Sequence, residues 1–252
     1  PPLVLLVDIG AYLLAGDYRF AQLLAWLGAA ALFAGSGGRT ARLAALLLLF
    51  TPRAFYLLEW GWPEPTLALL LAALTYATTK RPTWTPWIVG LLFASRQYLV
   101  VAAPLALLLV PPPRSARSIG VFAAKAATIA AVVTLPFYFW NPHAFAESVW
   151  RAQAEMAPRA DALSFLALVA SGRGGAFPPY WIGFAASFGA VALSLGRGIR
   201  HSGGFASALA VALLLLFAFN KFAFCNYYVG VLAALAAASS QTTRSRPSAL
   251  PR

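Results

Sequence analysis

The chain has 252 residues, 61% of them hydrophobic and 10% charged, with a net charge of +12 and a mean hydropathy of +0.73. Globular domains in water carry roughly 25% charged residues, so this composition points to a bilayer as solvent. It assigns the excess Lys and Arg to cytoplasmic loops and not to nucleic acid. A single cysteine, Cys225, excludes a disulfide framework and a cysteine-based metal site.

In chain order, residues 1–16 form an apolar stretch too short to span a core of roughly 30 Å at about 1.5 Å per residue. It reads as an interfacial helix, interrupted by Asp8. Position 1 is Pro and no basic n-region precedes it, so the stretch does not read as a cleavable signal peptide. Asp17 is placed to cap the next helix, which runs from Phe20 to the stop at Gly35-Ser36-Gly37-Gly38. Leu43 to Leu58 forms a crossing, with Pro52 near its end and Arg53 within reach of Glu59. Thr66 to Thr79 returns to Lys80-Arg81.

The run from Trp84 to Val110 is broken by Ser95-Arg96-Gln97-Tyr98. It reads either as one long helix or as a hairpin of short helices with Arg96 near the tip. The hairpin keeps Arg114 and Arg117 in the cytoplasm and is preferred on that ground. Ile119 to Trp140 crosses outward. An external region, 141–177, follows, with His143 and the i,i+4 pairs Glu147–Arg151 and Arg151–Glu155 favouring a short surface helix. Gly172-Arg173-Gly174-Gly175 reads as a turn. Tyr180–Leu195, Phe205–Phe219 and Phe222–Ala238 complete the bundle, with Arg197, Arg200 and His201 in a basic loop. Residues 239–252 read as a disordered basic cytoplasmic tail. The expectation is an all-α polytopic transmembrane bundle over 1–238. It has about seven spanning helices and sits in a bacterial plasma membrane with its C-terminus in the cytoplasm.

Three constellations carry chemistry on this reading. Glu59-Trp60-Gly61-Trp62-Pro63-Glu64-Pro65 gathers two carboxylates and two indoles, in a chain with only seven acidic residues. Glu59 or Glu64 can serve as a general base, and Trp60 and Trp62 can stack on a ring. The plain alternative is an interfacial loop with belt tryptophans. Arg96, with Gln97 and Tyr98, interrupts an apolar run. It is either an oxyanion ligand or an arginine that snorkels or pairs with a buried acid. Asn220-Lys221-Phe222-Ala223-Phe224-Cys225-Asn226-Tyr227-Tyr228 places a cation, two amides and two phenols at a helix junction. It is either a ligand site or an ordinary turn. His143 reads more readily as a cap or surface residue than as a ligand.

Four stretches, taken together, resemble the GT-C superfamily of integral-membrane glycosyltransferases, in particular bacterial mannosyltransferase-like members. They are Pro1-Pro2-Leu3 followed by Asp17-Tyr18-Arg19; Glu59–Pro65; Ser95–Pro104; and Asn220–Tyr228. The resemblance implies a polyprenyl-phosphate sugar donor, a glycan or lipid acceptor on the external face of the cell envelope, and membrane lipids as partners. It implies that Arg96, Gln97, Tyr98 and Lys221 hold the donor phosphate. Trp60, Trp62, Asn226, Tyr227, Tyr228 and His143 would hold sugar or acceptor, and Glu59 and Glu64 would be supporting or substitute bases. A divalent cation is admitted and not required. The family's main catalytic acid would precede Pro1, so the chain reads as lacking the first helix and part of the first external loop. The alternative functions are a transporter or lipid flippase, for which broken helices are equally apt, and a non-catalytic membrane scaffold.

Overall fold

The computed structural model describes residues 1–172, 174–197 and 202–241. Among them the fold is all helical. Helix α1 (Pro2–Ala15) stops at Gly16, whose φ of 74° lets its N–H return to the Tyr12 carbonyl at 2.8 Å. The next helix, α2 (Arg19–Ser36), begins where Asp17 Oδ1 accepts from the Arg19 backbone N–H at 2.8 Å. It buries Ala25, Trp26, Ala29, Ala30 and Phe33, a stripe at helical spacing, and lays this face on α5.

The Leu43–Leu58 run divides into α3 (Arg39–Leu49) and α4 (Ala54–Glu59). Pro52 lacks the N–H a continuous helix would need, and Thr51 Oγ1 turns back to the Leu47 carbonyl at 2.7 Å. Gly61 then reverses the chain with a φ of 62°, and Tyr18 packs so closely that a Cβ there would lie 2.3 Å from its ring. Helix α5 (Glu64–Lys80) is the central element, buried on all sides and packed against α2, α6 and α13.

A short 3-10 turn (Pro82–Trp84) leads to α6 (Thr85–Ser95). The helix stops at Arg96, whose backbone is extended at φ −149° and ψ 129°. A 3-10 helix over Gln97–Leu109 follows. Helix α7 (Ala116–Trp140) crosses α6 at Gly90, where a Cβ would sit 2.2 Å from the Ala126 carbonyl oxygen. Only glycine allows that backbone-to-backbone approach.

Beyond α7 come α8 (Pro142–Ala146), a π turn (Glu147–Arg151) and α9 (Ala152–Glu155). Of the two expected i,i+4 pairs, Glu147–Arg151 forms an exposed contact at 3.7 Å. The chain then runs through α10 (Phe165–Gly172), α11 (Trp181–Gly196), α12 (Ser202–Ala218) and α13 (Cys225–Ser239). Arg173, Arg200, His201 and the tail from residue 242 lie outside the described residues.

The polytopic bundle with about seven spanning helices is corrected by these lengths. Among the described residues, one helix, α7, is long and apolar enough to cross a membrane, and only 6% of its most apolar 18-residue window is buried. The other apolar segments are shorter: α1 has 14 residues, α11 has 16 and α13 has 15. At about 1.5 Å per residue they measure roughly 21–24 Å, short of a core of roughly 30 Å. Much of the apolar sequence assigned to lipid contact is instead buried in one protein core. Phe33, Leu57, Leu67, Leu71, Leu92, Leu99, Leu105, Leu209, Leu213, Leu216 and Phe217 are all at most 1% exposed. Neither an integral plasma-membrane location with a cytoplasmic C-terminus nor a set of membrane-lipid partners is upheld by this arrangement.

Candidate functional site

Three helix ends meet at one polar point in this apolar core. Pro63-Glu64-Pro65 starts α5; the two prolines fix the backbone around Glu64 where a helix has no intrahelical partner for its first N–H groups. The break between α6 and the 3-10 helix supplies Arg96 and Tyr98. The first turn of α13 supplies Asn226 and Tyr227. The positive ends of α5 and α13 therefore lie beside the Glu64 carboxylate, and Arg96 follows directly on the negative end of α6.

The Glu64 side chain is fully buried and that of Arg96 is 15% exposed. Arg96 Nη2 donates to Glu64 Oε1 in a short charged hydrogen bond. Asn226 Nδ2 donates to the same oxygen at 3.1 Å. Four buried polar atoms of the cluster have no hydrogen-bond partner: Glu64 Oε2, Arg96 Nε, Tyr98 Oη and Asn226 Oδ1. An unpaired buried polar atom is costly, so four in one cluster single it out as the candidate site. An aromatic wall closes the cluster. Tyr98 and Tyr227 each present an edge to or from Phe217 at 5.1 Å between ring centroids. The Arg96 guanidinium carbon lies 6.0 Å from the Tyr98 ring centre.

A second polar chain runs alongside. Asp8 Oδ1 accepts from Gln22 Nε2 at 2.6 Å, and Gln22 Oε1 accepts from Thr66 Oγ1 at 3.1 Å. Gln22 is completely buried and Thr66 nearly so. Thr66 stands two residues from Glu64 on α5, and the Arg96 charge acts on Asp8, so the two chains lie side by side. Spacing does not show these partners, since the bonds span 14 and 44 residues of sequence. The available signals were a glutamine on the buried stripe of α2 and an aspartate inside the apolar run of α1.

Burial pushes the Glu64 carboxyl above its ordinary value, and Arg96 and Asn226 oppose this without cancelling it. Burial also raises Asp8, against the Gln22 hydrogen bond and the Arg96 charge. Burial works to lower Arg96, but Tyr98 and Glu64 more than offset it, and the guanidinium stays charged. Burial raises both Tyr98 and Tyr227. The site thus pairs a permanent cation with two carboxyls whose neutral forms are within easier reach than usual.

Not all the expected residues join this cluster. Glu59 is exposed at the end of α4, and Trp60 is 59% exposed. Trp62 packs edge-on to Tyr56 at 5.6 Å, and Arg53 lies over the Tyr56 ring at 5.6 Å. Gln97 opens the 3-10 helix with its side chain half-buried, and His143 is exposed on α8. Lys221 belongs to a different set of contacts, where its Nζ donates to the Ala154 carbonyl at 2.7 Å beneath the Tyr180 ring. Tyr228 Oη donates to the Leu163 carbonyl there. Among the described residues no three His, Cys, Asp or Glu side chains converge on a metal-sized site.

No family model, no curated protein and no solved structure matches this chain. The GT-C resemblance is therefore corrected. Its four stretches are short, and no match to a known protein supports them. With it fall the glycosyltransferase and mannosyltransferase activity, the polyprenyl-phosphate donor, and the glycan or lipid acceptor. The transporter, flippase and membrane-scaffold alternatives required several spanning helices, and one is present among the described residues. What the fold and site define is an all-α protein with a buried ion pair that carries open hydrogen-bonding positions.

Proposed function

We propose that the chain binds a small oxyanion at Arg96 and takes up a proton on Glu64 as it does so. The observation that carries this reading is the shared geometry of the pair. Arg96 keeps an open donor at Nε, and Glu64 keeps an open acceptor at Oε2. Binding an anion to a buried, already neutral pair would leave excess negative charge, which is expensive. Protonation of Glu64 removes that charge. Arg96 then faces the incoming oxyanion, and the cluster stays neutral before and after. Asp8, held at the margin by Gln22, is the second carboxyl that faces Arg96, and its raised pKa works in the same direction. Tyr98 donates from its open hydroxyl, and Tyr227 closes the aromatic side.

Methanesulfonate is a suitable probe because its charge is constant across the neutral range. Calorimetric titration in two buffers of different ionisation enthalpy counts protons directly. The expected result is uptake of about one proton per anion, with affinity falling about tenfold per pH unit above the Glu64 pKa. Arg96→Met abolishes binding. Glu64→Gln retains it and loses the proton uptake. Binding without proton uptake in the wild-type chain, or binding that survives Arg96→Met, refutes the proposal.

A further inference from the structure

A second site lies at the opposite ends of the elements that build the first. Where α5 ends, α6 begins, the 3-10 helix finishes and α7 starts, a cavity of about 900 Å³ opens to the surface. Its walls combine two chemistries. The exposed run Pro111-Pro112-Pro113 and the exposed Val121 of α7 give an aliphatic surface over the buried Leu108, Leu109, Val110 and Phe122. Arg114, Arg117 and Lys125 give three positive charges, and no Asp or Glu lines the cavity.

The sequence places these charges deliberately. Arg117, Val121 and Lys125 follow i, i+4, i+8 spacing, so cation, aliphatic and cation share one stripe of α7. Arg114 is tied down: its Nε donates to the Val110 carbonyl at 2.8 Å and its Nη2 to the Leu108 carbonyl at 3.1 Å. Those carbonyls end the 3-10 helix, so their bonds hold the guanidinium at the rim of the cavity. Among the described residues, neither Arg117 nor Lys125 is held in an ion pair. Both are exposed. No carboxylate occupies the first turn of α7 either.

The occupant follows from this combination. A free inorganic anion would use the cations and leave the aliphatic wall wet. A nucleotide would ask for a stacking surface, and the single aromatic in the lining, Phe122, is buried. An apolar wall with a few charged groups at one edge is the usual form of a site for a ligand with an apolar body and a polar head, and its volume lies within the usual range for such sites. We infer that this cavity binds a single-chain aliphatic anion, with its phosphate or carboxylate head at Arg114, Arg117 and Lys125 and its hydrocarbon body against Pro111-Pro112-Pro113 and Val121. This site is independent of the Glu64–Arg96 cluster.

The test uses dodecyl phosphate and laurate below their aggregation concentrations, with inorganic phosphate and dodecyl maltoside as comparators, read by calorimetry on the whole chain. Both aliphatic anions should bind, and inorganic phosphate and dodecyl maltoside should bind at least tenfold more weakly. Arg117→Gln and Lys125→Gln should each weaken dodecyl phosphate by about two- to five-fold, as expected for exposed charges, and by more in combination. Both positions are exposed, so the melting temperature should hold and separate lost binding from lost folding. Arg53→Gln, an exposed cation remote from the cavity in sequence and contacts, should change nothing. Equal binding of dodecyl maltoside shows that the cations select nothing and overturns the inference. Equal binding of inorganic phosphate shows that the wall contributes nothing and overturns it as well, as does dodecyl phosphate affinity unchanged in the double variant.

Discussion

Arg96→Met should destabilise the chain in a pH-dependent way, and Glu64→Gln should rescue it. The substitution keeps most of the side-chain volume and removes the charge. It leaves the fully buried Glu64 without its cation. Removing one partner of a buried pair costs about 3–5 kcal/mol. For a chain of this size each kcal/mol moves the melting temperature by about 2–4 °C, so the expected loss near neutral pH is roughly 6–20 °C. Glu64 has one escape, which is to take up a proton. Each pH unit of acidification returns about 1.4 kcal/mol, or roughly 3–6 °C, until the carboxyl is neutral. The double variant Arg96→Met/Glu64→Gln buries no charge at this point and should melt well above Arg96→Met at neutral pH. Differential scanning calorimetry of the four proteins across the acid-to-neutral range completes the cycle. If the two substitutions add at neutral pH, or if the Arg96→Met profile runs parallel to wild type, the pair is not electrostatically coupled and the reasoning fails.

Glu64 should also set the sign of the wild-type pH dependence. Its folded pKa lies above the ordinary 4.5, so its contribution is complete below that value and is lost as pH rises through the folded pKa; melting curves should show a steeper decline in wild type than in Glu64→Gln, where Asp8 alone of the two raised carboxyls remains. Gln22→Leu should cost about 1–3 kcal/mol, because it strips hydrogen-bond partners from Asp8 and the buried Thr66, and urea unfolding would measure it. An unaltered midpoint would remove Gln22 from the network. Gly61→Ala should destabilise through both a φ of 62° and a Cβ set 2.3 Å from the Tyr18 ring. Adding Tyr18→Ala should recover part of that loss in the same assay, and recovery of none would place the whole cost in the backbone.

Parts of this site were legible in the sequence because they break a local rule. Arg96 interrupts an apolar run, Glu64 sits between two prolines, and Asn226 opens an apolar helix. Each is conspicuous alone. The Asp8–Gln22–Thr66 chain was not legible as a unit: Asp8 stands out in its apolar run, but the three owe their meaning to partners on other helices. Lys221 shows the opposite error. A lysine at a helix junction looks chemically equipped, yet its ammonium is spent on the Ala154 carbonyl and two aromatic rings. The count of spanning helices went wrong for a related reason. Hydropathy measures how apolar a stretch is, while crossing a bilayer also depends on unbroken helical length. Pro52, Gly61 and Arg96 cut the apolar sequence into pieces that bury one another, and Gly90 lets two of those pieces touch.

The same interruptions make the site. A helix that ends in apolar surroundings leaves orphan backbone groups and a local charge, and both demand polar company. Three helices end at the Glu64–Arg96 point, so their demands are met by one shared cluster. Glu64 receives the positive ends of α5 and α13, and Arg96 receives the negative end of α6. This explains why the most deeply buried carboxylate of an acid-poor chain stands here and not on an exposed loop such as that of Glu59. It also explains why the cluster retains open atoms. The helix ends fix where the charges stand, and the Tyr98, Phe217 and Tyr227 rings close the cluster beside them. An anion and a proton entering together meet both needs, and this is why binding and protonation should appear in one step and disappear together in Arg96→Met.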